Sequence, residues 1–127
     1  MEEWRTPIRC YVSPAGNNKI ADWYAGLSVH EKADTDEFLK NMRRTRDWTL
    51  PDYRARLTGH KGLGELRWRS ERKQHRLIGF FGDGVWYAVV GCTHKGRVYH
   101  PHDALDTARK YMGHIERKQV KTVAYDL

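Results

Sequence analysis

Cysteine is scarce in this chain. Cys10 and Cys92 are its only two, too few and too far apart for a disulfide framework or a zinc site. Each lies in an apolar, strand-like run, so both are expected as buried free thiols, which suits a reducing cytoplasm. Long apolar runs are missing as well. No segment approaches roughly 18 apolar residues, so no membrane span is expected. The opening M-E-E-W-R-T-P has no apolar signal core. No Gly-rich phosphate loop, Ser-His-Asp pattern or metal-ligand spacing is present. His100 and His102 stand close together, but no Cys or His near them in sequence completes a site, so neither metal nor cofactor is expected. With no repeat, low-complexity tract or linker, residues 1–127 read as one domain. Acidic residues are the minority, 16 against 23 Lys and Arg, for a net charge of +7. That excess favours an anionic partner such as nucleic acid; a basic surface kept for solubility is the plain alternative.

What is present reads as an α+β chain. Ile8 to Ser13 alternates like a strand. Ser13-Pro14 offers an N-cap and first helical residue, and Ile20, Trp23, Tyr24 and Leu27 form a helical stripe. Ser28 with Glu31 is a capping box opening a second helix, whose apolar face is Thr35, Phe38, Leu39 and Met42. Its end is basic, with Arg43, Arg44 and Arg46. Cations suit a helix C-terminus, and they equally suit a phosphate. Thr49 to Gly62 is loop-like. His100-Pro101 is expected to start a last helix with the stripe Ala104, Leu105, Ala108, Tyr111, Met112 and Ile115. The tail from Val120 to Leu127 reads either as a short edge strand or as unstructured.

Between the loop and the last helix lies a strand meander, Gly62 to Gly91. Asp83-Gly84 is the strongest turn signal and fits a two-residue type I′ hairpin. Counting back from it pairs Phe81 with Trp86, Gly79 with Ala88, Leu77 with Val90 and Arg76 with Gly91. If Ser70–Lys73 closes the other hairpin, Arg67 faces Arg76. Alternation then gives a core face of Leu66, Trp68, Leu77, Phe81, Trp86, Ala88 and Val90, on which the helices pack. The other face, with Glu65, Arg67, Arg69, Arg76, Ile78, Phe80, Tyr87 and Gly91, is basic and aromatic. Like charges directly opposite on a sheet are destabilising, so an anion is expected between the arginines, with Gly91 leaving room for a ligand. A diagonal Glu65–Arg76 pair is the structural alternative.

Around that face stand His60 and Lys61 before the meander, and His94, Lys95, Arg97 and Tyr99 after it. The set fits cleavage of RNA by its own 2′-hydroxyl. A histidine can move the proton near neutral pH. Arginine forks suit the phosphorane, and preorganised charge is usually the largest catalytic term. Ordinary solvated lysines, and a Tyr99 that merely caps the core, are the alternatives for the outer residues.

The element order and the motifs LTGHKGLGELRW, HRLIGFF and VWYAVVGCTHKGRVYHPHDALDTA resemble the RelE/ParE toxin superfamily, nearest its HigB-like, phage Gp49-like branch. The resemblance implies a RelE-like fold, with a small antiparallel sheet (N-terminal strand plus three-strand meander) against an N-terminal helical hairpin and a C-terminal helix. It implies a type II toxin, bacterial or phage-borne, that cuts mRNA in the ribosomal A site without metal and is inhibited by a small antitoxin, often helix-turn-helix. By that likeness Arg67 and Arg76 lie near the scissile phosphate, while Lys61 and Tyr99 occupy RNA-contacting positions. Catalytic candidates are Arg67, Arg76, His60, His94 and Lys95; RNA-binding candidates are Lys61, Arg69, Arg97 and Tyr99. Where HigB-like relatives carry a lysine pair after the last strand, His94 replaces one lysine. A ParE-like DNA gyrase inhibitor and a catalytically silent nucleic-acid-binding module on the same fold are the other readings.

Overall fold

Two tight turns set the sheet. Asp83 and Gly84 have φ of 53° and 78°, and Glu71 and Arg72 have φ of 53° and 63°. Both pairs are thus left-handed, as a two-residue type I′ hairpin requires. In the computed structural model, which describes residues 4–125, these turns join β3 (Gly64–Ser70), β4 (Lys73–Gly82) and β5 (Val85–Lys95) into an antiparallel meander. The remaining strands are β1 (Ile8–Tyr11), β2 (Tyr53–Arg54), β6 (Val98–His100) and β7 (Thr122–Ala124). The helices are α1 (Lys19–Ala25), α2 (Val29–Arg43) and α3 (Ala104–Glu116). The order is β2-β3-β4-β5-β1-β7, with β6 also paired to β5. The architecture is α+β around a seven-stranded, mostly antiparallel sheet, larger than the four strands expected. Among the described residues its one parallel pair is β1 with β5.

The meander register holds from the Asp83-Gly84 turn back to Gly79–Ala88, then slips by one residue. Val89 is the extra residue of a bulge, which turn counting cannot see. Leu77 therefore faces Gly91, not Val90, and Arg76 faces Cys92, not Gly91. The slip moves everything beyond it to the opposite face. Val90 joins the other side of the sheet, and Gly91 turns toward α1, where a methyl group would overlap the Trp23 indole. Gly91 makes room for a tryptophan, not a ligand.

Both faces of the sheet are covered. α1 and α2 pack on Ile8, Cys10, Leu66, Trp68, Leu77, Trp86 and Ala88. α3 lies over the face expected to be open, burying Ile78, Phe80, Val89 and Cys92 against Ala104 and Ala108. Phe81, expected in the core, is a half-exposed rim residue. Both cysteines are buried free thiols. No helix among the described residues is long and apolar enough to cross a membrane.

The starts of α1 and α2 follow side-chain caps. The Ser28–Glu31 box forms, with Glu31 N donating to Ser28 Oγ and Ser28 N to Glu31 Oε1. α1 begins later than Ser13-Pro14 suggests. Asn18 Oδ1 accepts from Ile20 N and Ala21 N, while Ser13 is held in a turn whose Gly16 has φ of 89°. α3 begins after Asp103, not at His100-Pro101, because Val98–His100 pairs with β5. β1 ends at Tyr11, and the tail supplies edge strand β7, tied by Arg9 Nε to Thr122 Oγ1 at 2.8 Å. Asp126 and Leu127 of that tail, and the first three residues, lie outside the described residues.

Gly91→Ala should destabilise the fold by about 1–3 kcal/mol through overpacking against Trp23. Gly82→Ala, where a methyl group would meet the Tyr87 ring at 3.3 Å, should cost less. Urea midpoints of the two variants provide the comparison.

Candidate functional site

Arg67 and Arg76 stand opposite each other on β3 and β4, as the Ser70–Lys73 turn predicts. The anion between them belongs to the chain. Alternation puts Glu65 on the face of Arg67. Its Oε1 lies 3.6 Å from Arg67 Nε and 3.7 Å from Arg76 Nε. Its Oε2 accepts from the Tyr99 hydroxyl at 2.5 Å. The diagonal pair is what forms, so the arginines do not require a bound ligand to coexist.

The two arginines are not equivalent. Glu65 is 2% exposed and Arg76 4%, while the Arg67 side chain is 29% exposed. Arg76 Nη1 donates to the His75 carbonyl at 2.9 Å and Nη2 to Gln74 Oε1 at 3.0 Å. Burial pushes the Arg76 guanidinium below its ordinary pKa, and Glu65 opposes that shift. Arg76 is an internal charge, and Arg67 faces solvent. Arg67 lines a shallow groove of about 300 Å³ with Pro51, Asp52, Arg69, Gln74, Trp68 and an edge of Arg76. The groove exists because β2 pairs with β3 only at Glu65 and Leu66; beyond that pairing Arg67 N donates to the Asp52 carbonyl at 2.8 Å.

β6 brings Tyr99 opposite His94, their rings edge to face at 4.7 Å. His94 and Lys95, expected to follow the last strand, are part of it. Burial first, then the Arg76 charge, lower the His94 pKa, so the ring is neutral at neutral pH. Its Nδ1 is buried without a hydrogen-bond partner. Burial, then the bond to Glu65, raise the Tyr99 pKa. Tyr99 is thus a tie between β6 and β3 that braces the cluster. Cys92, opposite Arg76, is pushed up to about 12 by burial and is no nucleophile.

The fold therefore gathers Arg67, Arg76, His94 and Tyr99, with exposed Arg69 along the same groove. It does not gather the rest. Lys95 and Arg97 are exposed around the β5–β6 turn, and strand alternation puts Lys95 on the opposite face from His94. His60 and Lys61 lie in the loop before β3; Lys61 is exposed, and His60 Nδ1 is buried without a hydrogen-bond partner. Glu65 carries more weight than the sequence alone suggests. Its signal is the E-L-R spacing, which puts a carboxylate on the arginine face.

No protein-family model, no curated protein and no solved structure matches the chain.

Removing Glu65 strands the buried Arg76 charge. Glu65→Ala should therefore cost about 3–5 kcal/mol, whereas Arg67→Ala should cost at most about 1 kcal/mol because its pair is partly solvated. Urea unfolding separates the two. Acid should also weaken the fold. Burial holds His94, and also His75 on the α2 face, below the ordinary 6.5. The unfolded chain then binds more protons near and below that pH, so stability is full above it and falls as pH drops. His94→Asn should flatten part of that slope in urea unfolding followed across pH.

Proposed function

We propose that this chain is an endoribonuclease of the RelE/ParE toxin type, cutting mRNA in the ribosomal A site by attack of the 2′-hydroxyl, and restrained by a small, helix-turn-helix antitoxin. The order of strand, helical hairpin, meander and helix is compatible with a RelE-like fold. One observation carries the reading: a partly exposed Arg67 backed by a buried Glu65–Arg76 pair, beside a neutral histidine, at the edge of a groove.

Each group then has a task. Arg67 and Arg69 would hold the phosphate, with Arg67 stabilising the phosphorane's added charge. Neutral His94 would take the 2′-proton. Glu65 is engaged by Tyr99 and both arginines, so it aims Arg67 and is not itself the base. A second reading, a silent RNA-binding module, is favoured by that same Glu65, since the internal carboxylate already neutralises part of the arginine charge.

Arg67→Ala should abolish growth arrest and lower cleavage of ribosome-bound mRNA by about 100-fold, with the protein still folded. Cleavage should persist through neutral pH and decline only below about 6.5, as His94 takes up its proton. Undiminished cutting by Arg67→Ala would place the chemistry elsewhere. Wild-type protein that binds RNA with a steep salt dependence but never cuts it would establish the silent module.

A further inference from the structure

Gln74 is half-buried and lines the groove beside Arg67, Arg69 and Arg76. Register puts it at the centre of the site. Arg69 pairs with Gln74, Gln74 with His94, and His94 with Tyr99. The four make one row across β3, β4, β5 and β6. Residues directly opposite share a face, with Cβ atoms about 5 Å apart. Gln74 therefore stands between an exposed arginine and the neutral histidine.

The buried Arg76 fixes how Gln74 points. Its Nη2 donates to Gln74 Oε1 at 3.0 Å. A guanidinium has no acceptor, so the amide oxygen must face it; a flipped amide would set N–H against N–H. The amide NH2 is thus turned away from Arg76, and neither of its hydrogens has an acceptor among the described residues. Arg76 is itself held by the His75 carbonyl and Glu65. The orientation is set from beneath before anything binds.

We propose that Gln74 is a substrate-binding donor, which hydrogen-bonds a non-bridging oxygen of the scissile phosphate through its NH2 group while its carbonyl stays locked on Arg76. This role rests on the RNA reading of the groove and adds a residue to it. On one ribose, the 2′-oxygen and the 3′-phosphate it attacks are neighbours. With Arg69 on that phosphate and His94 on the 2′-hydroxyl, the phosphorane lies over the residue between them. Charge grows on its equatorial oxygens, so a preoriented donor there acts most strongly in the transition state. A base carbonyl offers the same lone pair, but the groups flanking Gln74 address phosphate and ribose. Asp52 also lines the groove. It lies past the far edge of β3, where its carbonyl accepts from Arg67 N, with β3 between it and Gln74.

The test uses the full chain, isotope-labelled for amide NMR, and 2′-deoxyuridylyl-(3′→5′)-uridine, which carries one phosphodiester and cannot be cut. Gln74 and Gln119 are the only glutamines, so Gln74→Ala assigns the side-chain signal. The dinucleotide should shift the Gln74 amide and the Arg67 Nε–H together and leave Gln119 in place. Adenine in place of uracil should give the same shift. The methylphosphonate analogue, with a methyl group for one charged oxygen, should give far less. Gln74→Ala should weaken the phosphodiester about tenfold, the worth of one hydrogen bond to a charged group, and the methylphosphonate hardly at all. Gln74→Glu keeps an acceptor on Arg76 and loses the donor. It should bind at least as weakly, with a urea midpoint no lower than that of the wild type. A Gln74 amide that stays put while Arg67 moves overturns the proposal. So does an equal shift with the methylphosphonate, or a shift that follows the base. Silence at both residues overturns the groove as a phosphate seat. Cleavage reads out separately: binding through Gln74 by a protein that never cuts RNA supports the donor and removes only the nuclease.

Discussion

A buried carboxylate between two arginines is the interaction on which the rest of this structure turns. Glu65 reaches Arg67 and Arg76 on the meander and Tyr99 on β6, so it ties three strands at one point. Such a cluster contributes little net stability, because desolvating the charges offsets most of their attraction. Its effect is selective. A one-residue slip of β3 against β4 would carry Glu65 and Arg67 to the α2 face and turn Leu66 and Trp68 away from it, leaving the buried Arg76 without its carboxylate. The Tyr99 bond fastens β6 at this point, and the Arg76 charge adds to burial in lowering the His94 pKa.

The cluster also divides labour between residues that look alike in sequence. Arg76 is spent on the His75 carbonyl, Gln74 and Glu65; Arg67 keeps a partly exposed guanidinium at the groove. Two arginines facing each other suggest a bidentate clamp on one anion. With Glu65 between them, the pair is better described as one presented cation and its internal support. Tyr99 likewise changes meaning: its hydroxyl is committed to Glu65, so it positions the site from behind.

How much of this is legible in the sequence depends on how local the signal is. The Asp83-Gly84 turn, the Ser28–Glu31 box and the α2 stripe are readable because each is decided within a few residues. The facing arginines follow from the Ser70–Lys73 turn and simple counting. The Val89 bulge is not readable, because it arises where β5 leaves β1 to pair with β6, a choice made by distant strands. β2 and β7 are short edges whose partners are remote in sequence. Lys61, Lys95 and Arg97 group with the arginines by charge and sequence neighbourhood, and neither property fixes which face of a sheet a side chain occupies. Glu65 is visible as a spacing, but its partner Tyr99 arrives on β6, a strand remote in sequence.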